Sequence, residues 1–414
     1  MKILFIHQNF PGQYRHLLKY FATRPDCEVV GISSNANISV WQEMAGVRVH
    51  YYDSTHPDNR RIHHYLRKFE DHVRRGQSVA RKALKIKKEG FEPDVICVHP
   101  GWGEGLYIKD IFRNAKVISF CEFYYNAYDS DLDFEEPVSI DKKLSIRTRN
   151  ATQLISIMAS DWCVSPTQWQ KSLYPKEIQN KITVIHDGID TDAIHPVSNA
   201  EYFLESEKLL LKKSDEIVTF VSRSLEPYRG FHIFARALPL IQKLRPEAHI
   251  LIVGADGISY GASPPKNTTY RQLFMQPVLS QLDMSKIHFL GIISRESLTA
   301  LLQVSGVHIY LTYPFVLSWS MLEAMSAGCI VVGSKTSPVE EVIEDGTNGL
   351  LVDFFSPGEI AQAVDKVFSY PDQMQRIKDA ARQTIRERYD LHSICLPQQV
   401  DLIDRAYHAD ISQK

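Results

Sequence analysis

The chain's strongest constraint on its own fold is a rhythm: short apolar runs rich in β-branched residues alternate with stretches of helical periodicity. Strands covered on both faces by crossover helices read as continuous apolar runs, not as alternating apolar and polar positions. In the first half the runs are Ile3 to His7, Glu28 to Ile32, Val47 to Tyr51, Asp94 to His99, Lys116 to Cys121, Asp161 to Val164 and Ile182 to Ile185. In the second half they are Ile217 to Val221, His249 to Val253, Ile287 to Leu290, Val307 to Leu311, Ile330 to Val332 and Leu350 to Val352. This order predicts the α/β class, with two Rossmann-like, doubly wound parallel-sheet domains. A chain of 414 residues, 44% of them hydrophobic, supplies two cores and exceeds the size at which one core usually divides. The polar, aperiodic segment His186 to Asn199, with Gly188 and Pro196, is the expected joint. The predicted organisation is a first domain over 1–190, a second over 200–385 and a terminal helical segment over 386–414.

Composition narrows the function. A formal net charge of −2 excludes a generally nucleic-acid-binding surface, which needs a local excess of Lys and Arg. The six cysteines are scattered, mostly inside apolar runs, without a CxxC pair or metal-ligand spacing, and are read as reduced core residues. The opening MKILFIHQNF is too short an apolar run for a signal peptide, and no apolar stretch approaches the roughly 18 residues of a membrane span. A cytoplasmic protein is expected.

The stretch Tyr313 to Gly328, YPFVLSWSMLEAMSAG, lies between two of the strand runs and has the form of a strand feeding a helix, the unit that holds ligands above strand ends. It resembles the nucleotide-sugar signature of family 4 glycosyltransferases, Glu-Pro-Phe-Gly followed by Leu-Glu-Ala-Met-Ala-Ala-Gly: Leu322 to Gly328 match closely, while the family's first glutamate falls on Phe315. Asp187, Gly188, Ile189 and Asp190 stand where the family has Asn-Gly-Val-Asp. Ser222 to Gly230, SRSLEPYRG, stands where it has Gly-Arg-Leu…Lys-Gly. The resemblance is ordered and spans nearly the whole chain. It implies the GT-B fold, two Rossmann-like domains facing across a cleft, with the donor nucleotide on the second, the acceptor on the first and the terminal helix crossing back. It further implies retaining transfer from a nucleotide diphosphate sugar.

The residues can be read beside that resemblance. Breaking a sugar–diphosphate bond leaves negative charge on phosphate, which fixed cations stabilise. Arg223 and Arg229, flanking a loop beyond a strand end, offer forked donors for phosphate oxygens or are solvated loop residues. Glu323, in the first turns of its helix, suits a ribose 2′,3′-diol. Phe315 cannot accept from sugar hydroxyls, so Ser318, Ser320 and the backbone amides of Val316 and Leu317 would take that role, or the donor differs from the common hexoses. Gly12, in the loop Phe10 to Tyr14, and Gly291, after the run Ile287 to Leu290, complete the expected donor-binding set with Arg223, Arg229, Ser318 and Glu323. His99 ends a strand and is followed by PGWGEG, where the family often has a histidine close to the transferred sugar. Glu122 ends the next strand beside Tyr124, Tyr125 and Tyr128, and suits acceptor-hydroxyl binding or proton removal, or caps a turn. His99, Glu122, Arg223 and Arg229 are the catalytic candidates.

Asp131 and Asp133 resemble the metal-binding DxD of another glycosyltransferase fold, but the arginines already supply positive charge, and no metal is expected. From Arg60 to Lys88 the chain reads as an amphipathic helix with Ile62, Leu66, Phe69 and Val73 on one stripe and many basic residues off it: a solvated face, or a peripheral contact with an anionic membrane. The resulting expectation is a metal-independent retaining glycosyltransferase of bacterial surface-glycan assembly, acting on a glycan, lipid-linked or protein acceptor. The alternatives are a nucleotide-sugar epimerase or hydrolase and an inactive sugar-nucleotide-binding scaffold.

Overall fold

A computed structural model describes residues 1–34, 47–53 and 61–409. The first half of the apolar runs forms β1 (Lys2–Ile6), β2 (Glu28–Ser34), β3 (Val47–Tyr52), β4 (Val95–Val98), β5 (Lys116–Phe120), β6 (Trp162–Ser165) and β7 (Ile182–Val184), paired all parallel in the order β3-β2-β1-β4-β5-β6-β7. Alternate residues of each strand leave on opposite faces, and both faces are covered. Leu4, Ile6, Ile96 and Val98 pack against Val79, Ala83 and Ile86, while Ile3, Phe5, Val95 and Cys97 pack against Leu17, Leu18 and Phe21. The second face is completed by the C-terminal helix Leu396–His408, which lays Val400, Leu402, Ile403 and Ala406 into the same core.

The second half opens with an antiparallel ribbon, β8 (Glu201–Leu204) and β9 (Leu209–Lys212), that the sequence reading did not include. The remaining strands are β10 (Ile217–Ser224), β11 (His249–Ala255), β12 (Ile287–Gly291), β13 (Val307–Tyr310), β14 (Ile330–Ser334) and β15 (Leu350–Val352), in the parallel order β12-β11-β10-β13-β14-β15. The chain divides into Met1–Asp187 with the segment from His392 onward, and Gly188–Leu391. The division falls at the start of the polar segment read as the joint, and the return to the first unit begins at His392, inside a π-helical turn over Leu391–Cys395.

The basic helix starts at Arg67, not Arg60, and runs to Lys88; Arg60 lies outside the described residues. Its buried stripe is His72, Gly76, Val79, Ala83 and Ile86, and Leu66 precedes the helix with 46% of its surface exposed. The stripe expected at Ile62, Leu66, Phe69 and Val73 is therefore displaced. Gly76 decides the register: a Cβ there would lie 2.6 Å from the Gly103 carbonyl, so the helix approaches the loop after β4 only with a glycine at that point. Among the described residues no helix is long and apolar enough to cross a membrane. All six cysteines are free thiols, five of them buried and Cys27 half-buried.

Candidate active site

In an open parallel sheet, ligands bind beyond the carboxyl ends of the strands where the strand order reverses. That point lies between β1 and β4 in the first unit and between β10 and β13 in the second.

In the first unit it is lined by two histidines. His7 follows β1 and His99 follows β4; both are 3% exposed and their rings meet edge to face at 5.4 Å. His7 Nδ1 accepts from the Asn9 N–H and His99 Nδ1 from the Gly101 N–H, which leaves Nε2 as the N–H position of each ring. Burial, reinforced by His99, drops the His7 pKa to about 3. His99 stacks on Trp102, ring centroids 4.0 Å apart, and its Nε2 lies 3.4 Å from Glu122 Oε2, within ion-pair range although the ring N–H is not aligned on it. Glu122 Oε1 accepts from Gln13 Nε2 at 2.8 Å, and the Gln170 side chain bonds the Glu122 carbonyl. Gly12 has φ +53°, and a Cβ there would meet the His7 ring at 2.5–2.8 Å, so this loop lies flat on the imidazole. The structure thus joins Gly12, His99 and Glu122 through His7 and Gln13. His7 has the same sequence signal as His99, a histidine ending a strand run, and was passed over. Glu104, in the PGWGEG loop, was also passed over: it is buried, accepts from the Tyr52 hydroxyl at 2.8 Å, and burial raises its pKa. Tyr125 receives the Arg149 guanidinium over its ring at 3.5 Å, and Tyr128 is exposed.

In the second unit the two arginines take different positions. Arg223 is not in a loop beyond the strand but inside β10, where the register against β11 shifts between Val221 and Ser224, and it is exposed. Arg229 is 7% exposed and donates from Nη1 to the Tyr310 hydroxyl (2.9 Å) and the Thr312 hydroxyl (2.8 Å). The Tyr310 oxygen also accepts from the Ser318 N–H at 2.8 Å. Arg229 is therefore no solvated loop residue; it ties the end of β13 to the start of the helix Trp319–Ala327. Gly230 makes this possible, since at φ +67° it begins the next helix where a Cβ would lie 2.3 Å from Leu311 Cβ. Ser318 caps the helix Trp319–Ala327 by accepting from the Ser320 N–H.

Phe315 is buried among Tyr228 (5.2 Å), Tyr260 (5.0 Å) and the Arg229 guanidinium (5.9 Å). Glu323 is 3% exposed and lies in the second turn, beyond the reach of the helix N-terminus expected for it, and Oε1 accepts from Arg295 Nη1 at 2.7 Å. Arg295 lies 28 residues away and nothing in the sequence marks it. Gly291 ends the edge strand β12 at φ +64° with open space where a Cβ would be. The DxD aspartates are not paired on one point: Asp131 is buried, and Asp133 is bonded by Lys143 Nζ at 3.1 Å and the Ser130 N–H at 3.2 Å. Among the described residues no group of three or more His, Cys, Asp or Glu side chains is arranged to hold a metal.

A strand-end site on each of two doubly wound sheets defines a class. The family "Glycosyl transferase family 4 group" matches residues 25–194 and "Glycosyl transferases group 1" matches residues 203–384. The chain belongs to the GT-B glycosyltransferases of the family 4 kind. It is 23% identical over 313 residues to the spore coat protein SA of Bacillus subtilis, covering 74% of this chain and 76% of that one. With D-inositol 3-phosphate glycosyltransferase of Corynebacterium aurimucosum it shares 24% identity over 198 residues, 48% of this chain and 45% of the relative. Among solved structures, HepE of Anabaena in complex with UDP and glucose superposes with a TM-score of 0.67 at 17% identity, over 97% of this chain and 99% of that one. The sucrose-phosphate synthase of Thermosynechococcus elongatus does so with a TM-score of 0.74 at 15% identity, over 99% and 100%.

Proposed function

We propose that this glycosyltransferase moves a sugar, with retention, from a nucleotide diphosphate sugar to a hydroxyl acceptor, without a metal, in the assembly of bacterial surface glycans at the cytoplasmic side. The observation that carries the reading is the second unit's strand-end site. Arg223 is exposed near the carboxyl end of β10, and Arg229, six residues on in the chain, is buried and bonded to hydroxyls and, among the described residues, to no carboxylate. Positive charge held this way suits a leaving diphosphate, and Ser318, at the capped start of the next helix, adds donors. HepE, of similar fold, was solved with UDP and with UDP-glucose, which supports a donor of that type. Glu323 retains an oxygen for a ribose diol beside its bond to Arg295. In the first unit, Glu122 with His99 is suited to orient an acceptor hydroxyl and take its proton, and Trp102, stacked on His99, to offer an aromatic face to a sugar ring. Lipid-linked and soluble acceptors both remain within this reading, and the basic helix would serve the former.

Incubation with a panel of nucleotide sugars, with and without candidate acceptors and with excess EDTA, tests it. Acceptor-dependent nucleotide release that survives EDTA, with a product of the donor's anomeric configuration, is the expected result. Release without any acceptor would indicate a hydrolase or epimerase; binding without release would indicate an inactive scaffold, the reading that Phe315 favours by replacing a hydroxyl-binding carboxylate.

A further inference from the structure

The loop after β11 is fastened by a side chain outside the candidate site. Glu226 follows β10 and is 0% exposed, and among the described residues no ion pair within 4 Å engages its carboxylate. It accepts from three consecutive backbone N–H groups: Ser259 (3.3 Å), Tyr260 (3.2 Å) and Gly261 (3.1 Å). A hydrogen bond between the Ser224 and Ser259 hydroxyls (2.8 Å) reinforces the attachment. Gly261 fits between the Glu226 carboxylate and the Tyr228 ring, each 3.4 Å from where its Cβ would be. A loop of small and polar residues, GISYGAS, has little apolar surface to hold it, so this carboxylate does so with charge-assisted bonds. The consequence is the placement of Tyr260, still 39% exposed: its ring lies 5.4 Å from the Arg229 guanidinium and 5.0 Å from Phe315.

We infer that Glu226 is a positioning residue for the nucleotide-sugar site: by fixing the Ser259–Gly261 backbone it holds the Tyr260 ring as an aromatic wall beside Arg229, against which the diphosphate end of the donor is seated. This rests on the proposed donor role of the second unit. Glutamine in place of Glu226 keeps the volume but removes the charge, and with its oxygen where Oε2 accepts from all three N–H groups its NH2 must face the Tyr260 N–H in place of Oε1, so the hold on the loop is weakened without a cavity.

Hydrogen exchange at the Ser259–Gly261 amides and calorimetry with UDP as the probe test the two halves separately. In Glu226→Gln, exchange at those amides should rise about tenfold or more, and UDP affinity should fall about tenfold, the scale of one charge-assisted bond. Tyr260→Ala should weaken UDP to a similar degree, and the double variant should bind no worse than the weaker single variant, because both act through one ring. Unchanged exchange in Glu226→Gln overturns the clamp. Raised exchange with undiminished UDP affinity overturns the link to the site, as do additive effects in the double variant. Should Glu226→Gln not fold, Tyr260→Ala alone decides, and unaltered UDP affinity overturns the inference. If the wild type binds no nucleoside diphosphate, the donor reading falls and the positioning role with it, while the exchange result shows whether the clamp itself exists.

Discussion

The two arginines of the second unit should respond to the same substitution with different effects on stability. Arg229→Met removes a guanidinium that bonds the hydroxyls of Tyr310 and Thr312, residues 2% and 0% exposed. A buried polar group left without its partner costs about 1–3 kcal/mol. Tyr310 keeps the Ser318 N–H as a donor, so most of the loss falls on Thr312 and on the charge-assisted bonds themselves. Relief from burying the charge offsets part of this, for a net cost of about 2–3 kcal/mol. In a domain of this size that lowers the melting temperature by about 5–10 °C. Arg223→Met removes an exposed side chain for which no bonded partner is seen among the described residues, and should change stability by no more than about 0.5 kcal/mol. Differential scanning calorimetry of both variants, with UDP titrations, separates the roles: Arg223→Met should weaken UDP about tenfold with its melting unchanged, whereas Arg229→Met should lose both. Equal melting temperatures would show that Arg229 is not built into the fold, and undiminished UDP binding by Arg223→Met would remove it from the diphosphate site.

Gly12→Ala places a Cβ 2.5 Å from the His7 ring at a positive φ, and should cost about 1–3 kcal/mol in urea unfolding while shifting the His7–Glu122 network. Arg295→Met strands the Glu323 carboxylate, 3% exposed, and should lower the melting temperature; adding Glu323→Gln should recover most of the loss, and a double variant no better than Arg295→Met refutes the pairing. Burial holds the pKa of His7, His72 and His308 at about 3, with neighbouring positive charge adding to the effect for His72. Because these folded values lie below the unfolded value near 6.5, their contribution is present above pH 6.5 and is lost as pH falls toward 3. Urea unfolding from pH 7 to pH 5 should show about 1.4 kcal/mol lost per pH unit per histidine below 6.5, and a flat profile would contradict their burial as neutral rings.

The strands were legible because a sheet covered on both faces demands continuous apolar runs, and Ile3 to His7 or Ile330 to Val332 admit few other readings. The ribbon β8–β9 was not, since a two-stranded element half in water leaves only short mixed segments such as Glu201–Leu204. The basic helix was recognised but its stripe was misplaced by the absence of any local mark of where it starts; only contact with Gly103 selects Gly76 as the inward position. At the site, residue types at strand ends were readable and their pairings were not. Arg229 sits in a segment that reads as an exposed loop, and its burial is made by Tyr310 and Thr312, 81 and 83 residues on. Glu323 was readable as an acidic side chain on its helix, but its bond to Arg295 was not, because Arg295 is silent in sequence.

Phe315 gains a physical meaning from these contacts. A carboxylate at that position would lie beside Arg229 and compete with an incoming diphosphate for its charge. The phenyl ring, with Tyr260 at 5.4 Å and Tyr310 at 5.9 Å from the guanidinium carbon, surrounds the cation with aromatic rings that tolerate it without neutralising it. Glu226, which acts on Arg229 at longer range, is itself engaged by three N–H groups. The departure from the family pattern therefore removes a hydroxyl acceptor without placing a carboxylate beside Arg229, which under the proposed donor role would favour diphosphate binding over recognition of sugar hydroxyls at this point.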